Sequence, residues 1–210
     1  MSLKNNVTSK EALERLKEGN RRFISGLRSV NPLISHLKMP DLARKGQTPF
    51  AIVLTCSDSR SPAELIFDEG LGELFVVRVA GNVVAPSLLA SMEFAAVNFG
   101  SAVILVLGHS QCGAVKATID HIKNPNNELP SSNLEELVGR IRPAVQRVFK
   151  ETNNSSEKDF SERCEVENVR RSMSLIIEQS QILRNLVHDN KLSVHGALLD
   201  LESGKVNFLD

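Results

Sequence analysis

Tryptophan and tyrosine are both absent, and aromatic residues make up only 4% of the 210-residue chain. That leaves little of the stacking platform on which single-stranded bases are read. An excess of either charge is also missing, since 25 Lys and Arg offset 25 Asp and Glu for a formal net charge of zero. Such a balance points to neither a nucleic-acid nor a membrane surface, so the expected partner is a small molecule. No uninterrupted apolar run approaches the roughly 20 residues that a bilayer span needs. Residues Met1–Asn6 carry no apolar stretch of the secretory kind. The chain as given therefore reads as cytoplasmic, and an exported form with a trimmed leader would read the same. Cysteine is sparse, with three residues at 56, 112 and 164. An odd, scattered set is no disulfide framework, and its spacing points to metal or catalytic use for some of them.

What is present is an ordinary core, 41% apolar with 24% charged residues, and its length suits one domain. Residues 1–45 read as an N-terminal helical arm. Thr8 and Glu11 form a capping box ahead of Ala12, Leu13, Leu16 and Phe23, and that helix ends near Gly26. A Pro- and Ser-containing stretch follows, then a short helix around Asp41–Arg44. Residues 46–210 read as an α/β core with C-terminal helices and strands. Phe50–Leu54, Leu74–Val77 and Ala102–Leu107 are short, apolar throughout and rich in Val and Ile. Such runs are strands buried on both faces of a parallel sheet. Helices are expected from Pro62, over Pro86–Phe99 closed by Gly100, on to about Ile122, over Leu134–Lys150 and around Val166–His188. Polar breaks fall at Asn124–Asn127 and Thr152–Asp159. Ser193–Leu198 and Val206–Leu209 read as a hairpin or two edge strands. The expected fold is α/β, a central mainly parallel sheet flanked by helices, with the helical arm at one end and C-terminal edge strands at the other.

In open α/β sheets ligands sit at the carboxyl ends of the strands. Two of the buried runs end there on a metal-ligating type of residue, Cys56 and His109, and Cys112 follows His109 within one turn. Two thiolates and an imidazole suit zinc, and three protein ligands leave a fourth position for water. Spacing alone also fits cysteines that are plain buried hydrophobes. Asp58 and Arg60 lie two apart beside Cys56, so a guanidinium can grip a carboxylate and keep it ionised. An Asp capping the next helix, with Arg60 as its surface partner, fits the same spacing. The interval from Cys56 to Arg60 is too short for the phosphate-cradling loop of a cysteine phosphatase.

Taken in order, Cys56-Ser57-Asp58-Ser59-Arg60, Gly72–Arg78 with Ala80-Gly81-Asn82, and Gly108-His109-Ser110-Gln111-Cys112-Gly113 resemble the β-class carbonic anhydrases, in a plant-type pocket variant. The match runs from about Gln47 to Ala117, with weaker echoes in Asn20–Gly26 and Gly196–Leu201. The resemblance implies one Zn2+ per chain on Cys56, His109 and Cys112. It implies that Asp58, paired with Arg60, either orients the zinc-bound water or swings in as a fourth metal ligand. The implied reaction is reversible hydration of carbon dioxide to bicarbonate and a proton. Gln47, Phe75, Val79, Phe94 and Gly113 match substrate-pocket positions. Phe94 stands where plant-type members carry a tyrosine, and Val79 where many have asparagine, so altered rate rather than altered chemistry is expected. Arg78 matches an arginine that some bacterial members use for a non-catalytic bicarbonate. Those members also need a tryptophan where this chain has Val53, so inhibition of that kind is not expected.

The resemblance further implies a homodimer or higher homo-oligomer, with the N-terminal helices wrapped over a neighbour and the pocket near the interface. No proton shuttle is identified, and His36, His121, His188 and His195 read as solvated or core histidines. Cys164 reads as an incidental thiol, and the charged run Glu157–Arg171 as a solvated helix face. Leu175–Ile177 and Ile182–Leu186 read as core or interface. Two other readings remain open: a carbonyl sulfide or carbon disulfide hydrolase on the same fold, and a zinc-stabilised non-catalytic module.

Overall fold

A computed structural model of the chain describes residues 7–30, 35–126, 128–151 and 156–209. The expectations for Met1–Asn6, for Asn127 and for residues 152–155 of the second polar break lie outside them. So do residues 31–34 of the Pro- and Ser-containing stretch.

Helix α1 (Ser9–Ser25) starts on the expected capping box. The Thr8 hydroxyl accepts from the Glu11 N–H and the Glu11 carboxylate accepts from the Thr8 N–H. The helix stops at Gly26, whose φ of 72° provides the left-handed cap. Gly19 lets it press onto the chain near Phe67, since a Cβ there would collide with the Phe67 carbonyl oxygen. A 3-10 turn, Ser35–Lys38, leads into α2 (Met39–Lys45), no residue of which is buried. This is how an arm behaves that has no core of its own.

The three apolar runs are strands β1 (Ala51–Thr55), β2 (Leu74–Arg78) and β3 (Val103–His109). Every residue of β1 and β3 is buried, as strands covered on both faces require. Between them lie α3 (Ala63–Ile66) and α4 (Pro86–Phe99), the latter closed by Gly100 as expected. Then come α5 (Gly113–Lys123), α6 (Ser132–Glu151), α7 (Glu157–Gln179), α8 (Gln181–His188), β4 (Ser193–Leu199) and β5 (Val206–Leu209). The sheet has five strands in the order β2-β1-β3-β4-β5. The first four are parallel and β5 is antiparallel to β4. The closing segments therefore form the expected hairpin, and of the two only β5 is at an edge.

One expected helix is two. Ser180 is extended (φ −116°, ψ 109°), its hydroxyl accepts from the Leu183 N–H, and it donates to the Glu93 carboxylate on α4 at 2.6 Å. A serine cap tethered to a neighbouring helix thus ends α7 and starts α8.

Alternating side chains of the sheet feed two layers. Val53 and Leu105 pack with Leu16, Ile66 and Phe67 of the α1–α3 side. Ile52, Leu54 and Ile104 pack with Met92, Ile176 and Leu183 of α4, α7 and α8. A third cluster caps the carboxyl end of the sheet, where Cys56, Cys112 and Cys164 join Ile141, Val145, Val148 and Phe160. Each such side chain contributes roughly 1.5–3 kcal/mol by leaving water, so the ligand-bearing loops rest on a packed floor.

Candidate metal centre

Cys56 follows directly on β1 and His109 ends β3, and these two strands are neighbours in parallel register, Thr55 opposite Leu107. The strand ends therefore deliver a thiol and an imidazole side by side. The chain then turns through Gln111, whose φ of 57° is left-handed, and brings Cys112 back as the cap of α5. The Sγ atoms of Cys56 and Cys112 and a ring nitrogen of His109 all lie within 4.8 Å of one another. All three side chains are buried, at 6%, 2% and 1% exposure for Cys56, Cys112 and His109.

The donor atoms fit a metal. His109 Nδ1 lies 2.9 Å from the Ser110 carbonyl, to which its N–H donates. That tautomer leaves Nε2 as a bare lone pair, buried and without a hydrogen-bond partner among the described residues. An orphaned buried nitrogen facing two sulfurs is a costly arrangement unless an ion completes it. A set of two thiolates and one imidazole is a zinc set. The two sulfurs shift each other in opposite directions. The hydrogen bond from Cys112, with help from His109 and the Gly81 N–H, lowers the Cys56 thiol to about 4. The same contact, together with burial, pushes Cys112 far up. Burial opposes charging His109, yet its contacts with Cys56 and Ser110 leave its pKa raised.

The cluster is braced from several elements. The Gly81 N–H donates to Cys56 Sγ at 3.3 Å, and Gly81 can do so because its φ is 69°. The turn that carries Gly81 is held by α7: Asn168 donates to the Gly81 carbonyl at 2.8 Å and Ser172 to the Asn82 carbonyl at 3.0 Å. Arg78 donates to the carbonyls of Cys56 at 3.1 Å and Asp58 at 2.7 Å. Glu165, 3% exposed, accepts from the Cys112 N–H at 3.0 Å. Burial raises its carboxyl to about 7. Such outer partners orient ligands and tune the ion they hold.

Asp58 takes the dyad geometry. Arg60 donates to it through Nε at 3.0 Å, through Nη2 at 2.8 Å and through its own backbone N–H at 2.9 Å. These bonds hold the carboxyl well below the usual carboxylate range. Its Oδ2 lies 3.9 Å from His109 Nε2. The atoms that converge are those of Cys56, His109 and Cys112, while Asp58 faces Arg60, so here it stands beside the ligands rather than among them.

The expected substrate residues divide. Gly113 follows Cys112 directly, and a Cβ added to it would meet nothing within 4 Å. Val79 is at the same end, its N–H donating to the Thr55 carbonyl at 3.1 Å. Gln47, Phe75 and Phe94 are not brought to the metal ligands within one chain. Gln47 is exposed and precedes β1, with its Cβ near Gly72 ahead of β2. Residues 48–55 separate it from Cys56, and the five of them that form β1 alone span roughly 16 Å at strand rise. Phe75 pairs in register with Ile52, well short of the carboxyl end. It packs with Phe94 and Phe99 at centroid distances of 6.4 and 6.0 Å. Phe94 is 53% exposed.

The charged run at Glu157–Arg171 is not simply a solvated face. Cys164, Glu165, Asn168, Val169 and Ser172 of that helix are buried. Their spacing of three and four is a core stripe carrying polar groups, and that pattern was the available sign of the braces. Cys164 is fully buried, and burial pushes its thiol up to about 12, so it is inert. Among the other histidines, His188 is exposed beside Asp189, and His195 lies on β4 beside the Ser193 hydroxyl.

A family model described as carbonic anhydrase matches residues 51–206. Carbonic anhydrase 2 of Mycobacterium tuberculosis is 34% identical over 205 residues, covering 98% of this chain and 95% of that protein. Beta carbonic anhydrase 3 of Arabidopsis thaliana is 30% identical, covering 92% of this chain and 75% of that protein. Among solved structures, one of two tetrameric β-carbonic anhydrases from Sordaria macrospora matches with a TM-score of 0.72. That likeness is at 25% identity and covers 81% of this chain and 85% of that one.

Proposed function

The chain belongs to the β-carbonic anhydrase family, and we propose that Cys56, His109 and Cys112 are the ligands of its catalytic zinc. The reaction is the reversible hydration of carbon dioxide to bicarbonate and a proton. The observation that carries the site assignment is the bare Nε2 of His109, buried against two thiols and beside an ionised Asp58. When bound there, zinc supplies a Lewis acid that makes water nucleophilic near neutral pH. Asp58 Oδ2 can accept a hydrogen bond from water entering beside His109 Nε2 and so turn that water's lone pair outward. Arg60 fixes the carboxylate in that orientation with its fork. The hydrocarbon of Val79 and the open side of Gly113 suit a small apolar substrate. The readings as a carbonyl sulfide hydrolase or a non-catalytic zinc module are not favoured.

Gln47, Phe75 and Phe94 are proposed to line the pocket of a second copy, in a homodimer or a larger assembly built from it. Support comes from the exposure of Phe94 and of the arm residues Leu27, Val30, Leu37 and Met39. The tetrameric Sordaria relatives point the same way. A cytoplasmic setting is proposed because all three cysteines are free and two are needed as thiolates.

Metal analysis and a stopped-flow pH-indicator assay test the assignment together. Purified protein is expected to hold one zinc per chain and to hydrate carbon dioxide faster than it hydrolyses carbonyl sulfide, and Cys112→Ala to lose both metal and turnover. Full activity in Cys112→Ala would sink it.

A further inference from the structure

Behind the turn that supports Cys56, between α6 and α7, lies a cavity of about 200 Å³. Its walls include Arg140, Asn168, Arg171 and Ser172, with Gly139 and Gln179 exposed at its rim. Among the described residues no carboxylate lines it. Arg140 is fixed there by donating through Nη1 to the Val84 carbonyl at 2.7 Å and through Nη2 to Glu136 at 2.6 Å. Arg171 differs. Among the described residues no carboxylate pairs with it, and its Nε is buried without a hydrogen-bond partner. A neighbouring cavity of about 260 Å³ also touches Arg171, but Glu167 and Glu178 line that one beside its arginines. The acid-free side is where the charge of Arg171 stands without a carboxylate, while that of Arg140 is met by Glu136.

A buried guanidinium N–H without an acceptor is destabilising. Arg171, with Arg140 lining the same cavity, meets that need best with a multi-oxygen anion, whose oxygens match the guanidinium fork. The volume equals roughly seven waters at ~30 Å³ each, enough for a bicarbonate or phosphate ion. We propose that this cavity is a second site, separate from the metal centre, that binds one small oxyanion between Arg140 and Arg171. Ser172, whose hydroxyl oxygen keeps a free lone pair, and Gln179 complete its polar lining. The reaction's own bicarbonate and cellular phosphate share the required chemistry.

Calorimetric titration of inorganic phosphate, and separately of bicarbonate, into the zinc-loaded enzyme tests the proposal. One phosphate per chain, or one bicarbonate beyond that held at the metal centre, is expected to bind saturably, and Arg171→Gln to weaken that binding at least tenfold. Turnover in anion-free buffer should stay unchanged. Gly139→Glu provides a second variant, since a Cβ there meets nothing within 4 Å and its carboxylate would enter the rim. It too is expected to abolish the binding while the far-ultraviolet spectrum stays that of the parent. Loss confined to bicarbonate identifies the product as the occupant, and loss confined to phosphate identifies the cellular ion. Equal binding of both ions by the parent and Arg171→Gln overturns the proposal. A shift in sedimentation of that variant would then assign Arg171 to a carboxylate of a second copy.

Discussion

The two ends of the sheet are built to different standards of completeness. At the carboxyl end Cys56, His109 and Cys112 converge within 4.8 Å, and Arg78, Gly81 and Glu165 hold their backbone or sulfur. Everything needed to grip an ion belongs to one chain. Toward the amino end, Gln47 is solvent-exposed and Phe94 shows half its ring. The groups proposed to hold a substrate lie there, away from the metal ligands of their own chain. Gripping the ion and holding the substrate are thus separable properties, and single substitutions should pull them apart.

The largest effect should come at the carboxyl end. Asp58→Asn keeps the shape and loses the charge, so zinc content should stay at the parental level while turnover falls by about 10²-fold or more. Equal rates in mutant and parent would dissolve the distinction between gripping the ion and aiming the water.

At the other end, Gln47→Ala should leave metal content untouched and slow turnover about tenfold, near what one hydrogen bond contributes. Mixing it with Asp58→Asn is the sharper measurement. If Gln47 serves the neighbour's site, exchange of subunits creates one site with both residues intact, and activity rises above the sum of the two. No rise on mixing would return Gln47 to its own chain.

The smallest effect on turnover concerns the brace behind Cys112, whose change is one of stability. Burial raises the Glu165 carboxyl to about 7 from 4.5. Folding therefore favours its neutral form, a contribution complete below pH 4.5 and lost as pH climbs through 7. In metal-free protein Glu165→Gln should match the parent at pH 4 and exceed it at pH 8 by up to about 3 kcal/mol. Thermal melts across that range measure the gap, and a gap that widens toward acid would reverse the reading.

The contrast between the two ends also marks what could be read from the chain itself. Cys56 and His109 were legible because each ends a buried apolar run, and strand ends project into one crevice whatever the rest does. The pairing of Asp58 with Arg60 was legible because it is local. Glu165 was not, being 53 residues from Cys112 in a helix dense with charge. Ser180 looked like any polar residue in a helix until Glu93, 87 residues away, held it extended. Gln47 was assigned its chemistry by resemblance, but its distance from the metal follows only from strand direction. A parallel strand carries its two ends to opposite sides of the sheet, and no local motif encodes that separation.

The half-exposed ring of Phe94 carries a last consequence, one of concentration. An active site that borrows its substrate wall from another molecule has a specific activity that depends on how many molecules are present. If Phe94 lines a neighbour's pocket, the protein diluted below the dissociation constant of its subunits would keep its metal and its fold while its rate per chain declined. A plot of turnover against enzyme concentration would then curve downward at the dilute end, and the bend would give the strength of assembly without any measurement of mass.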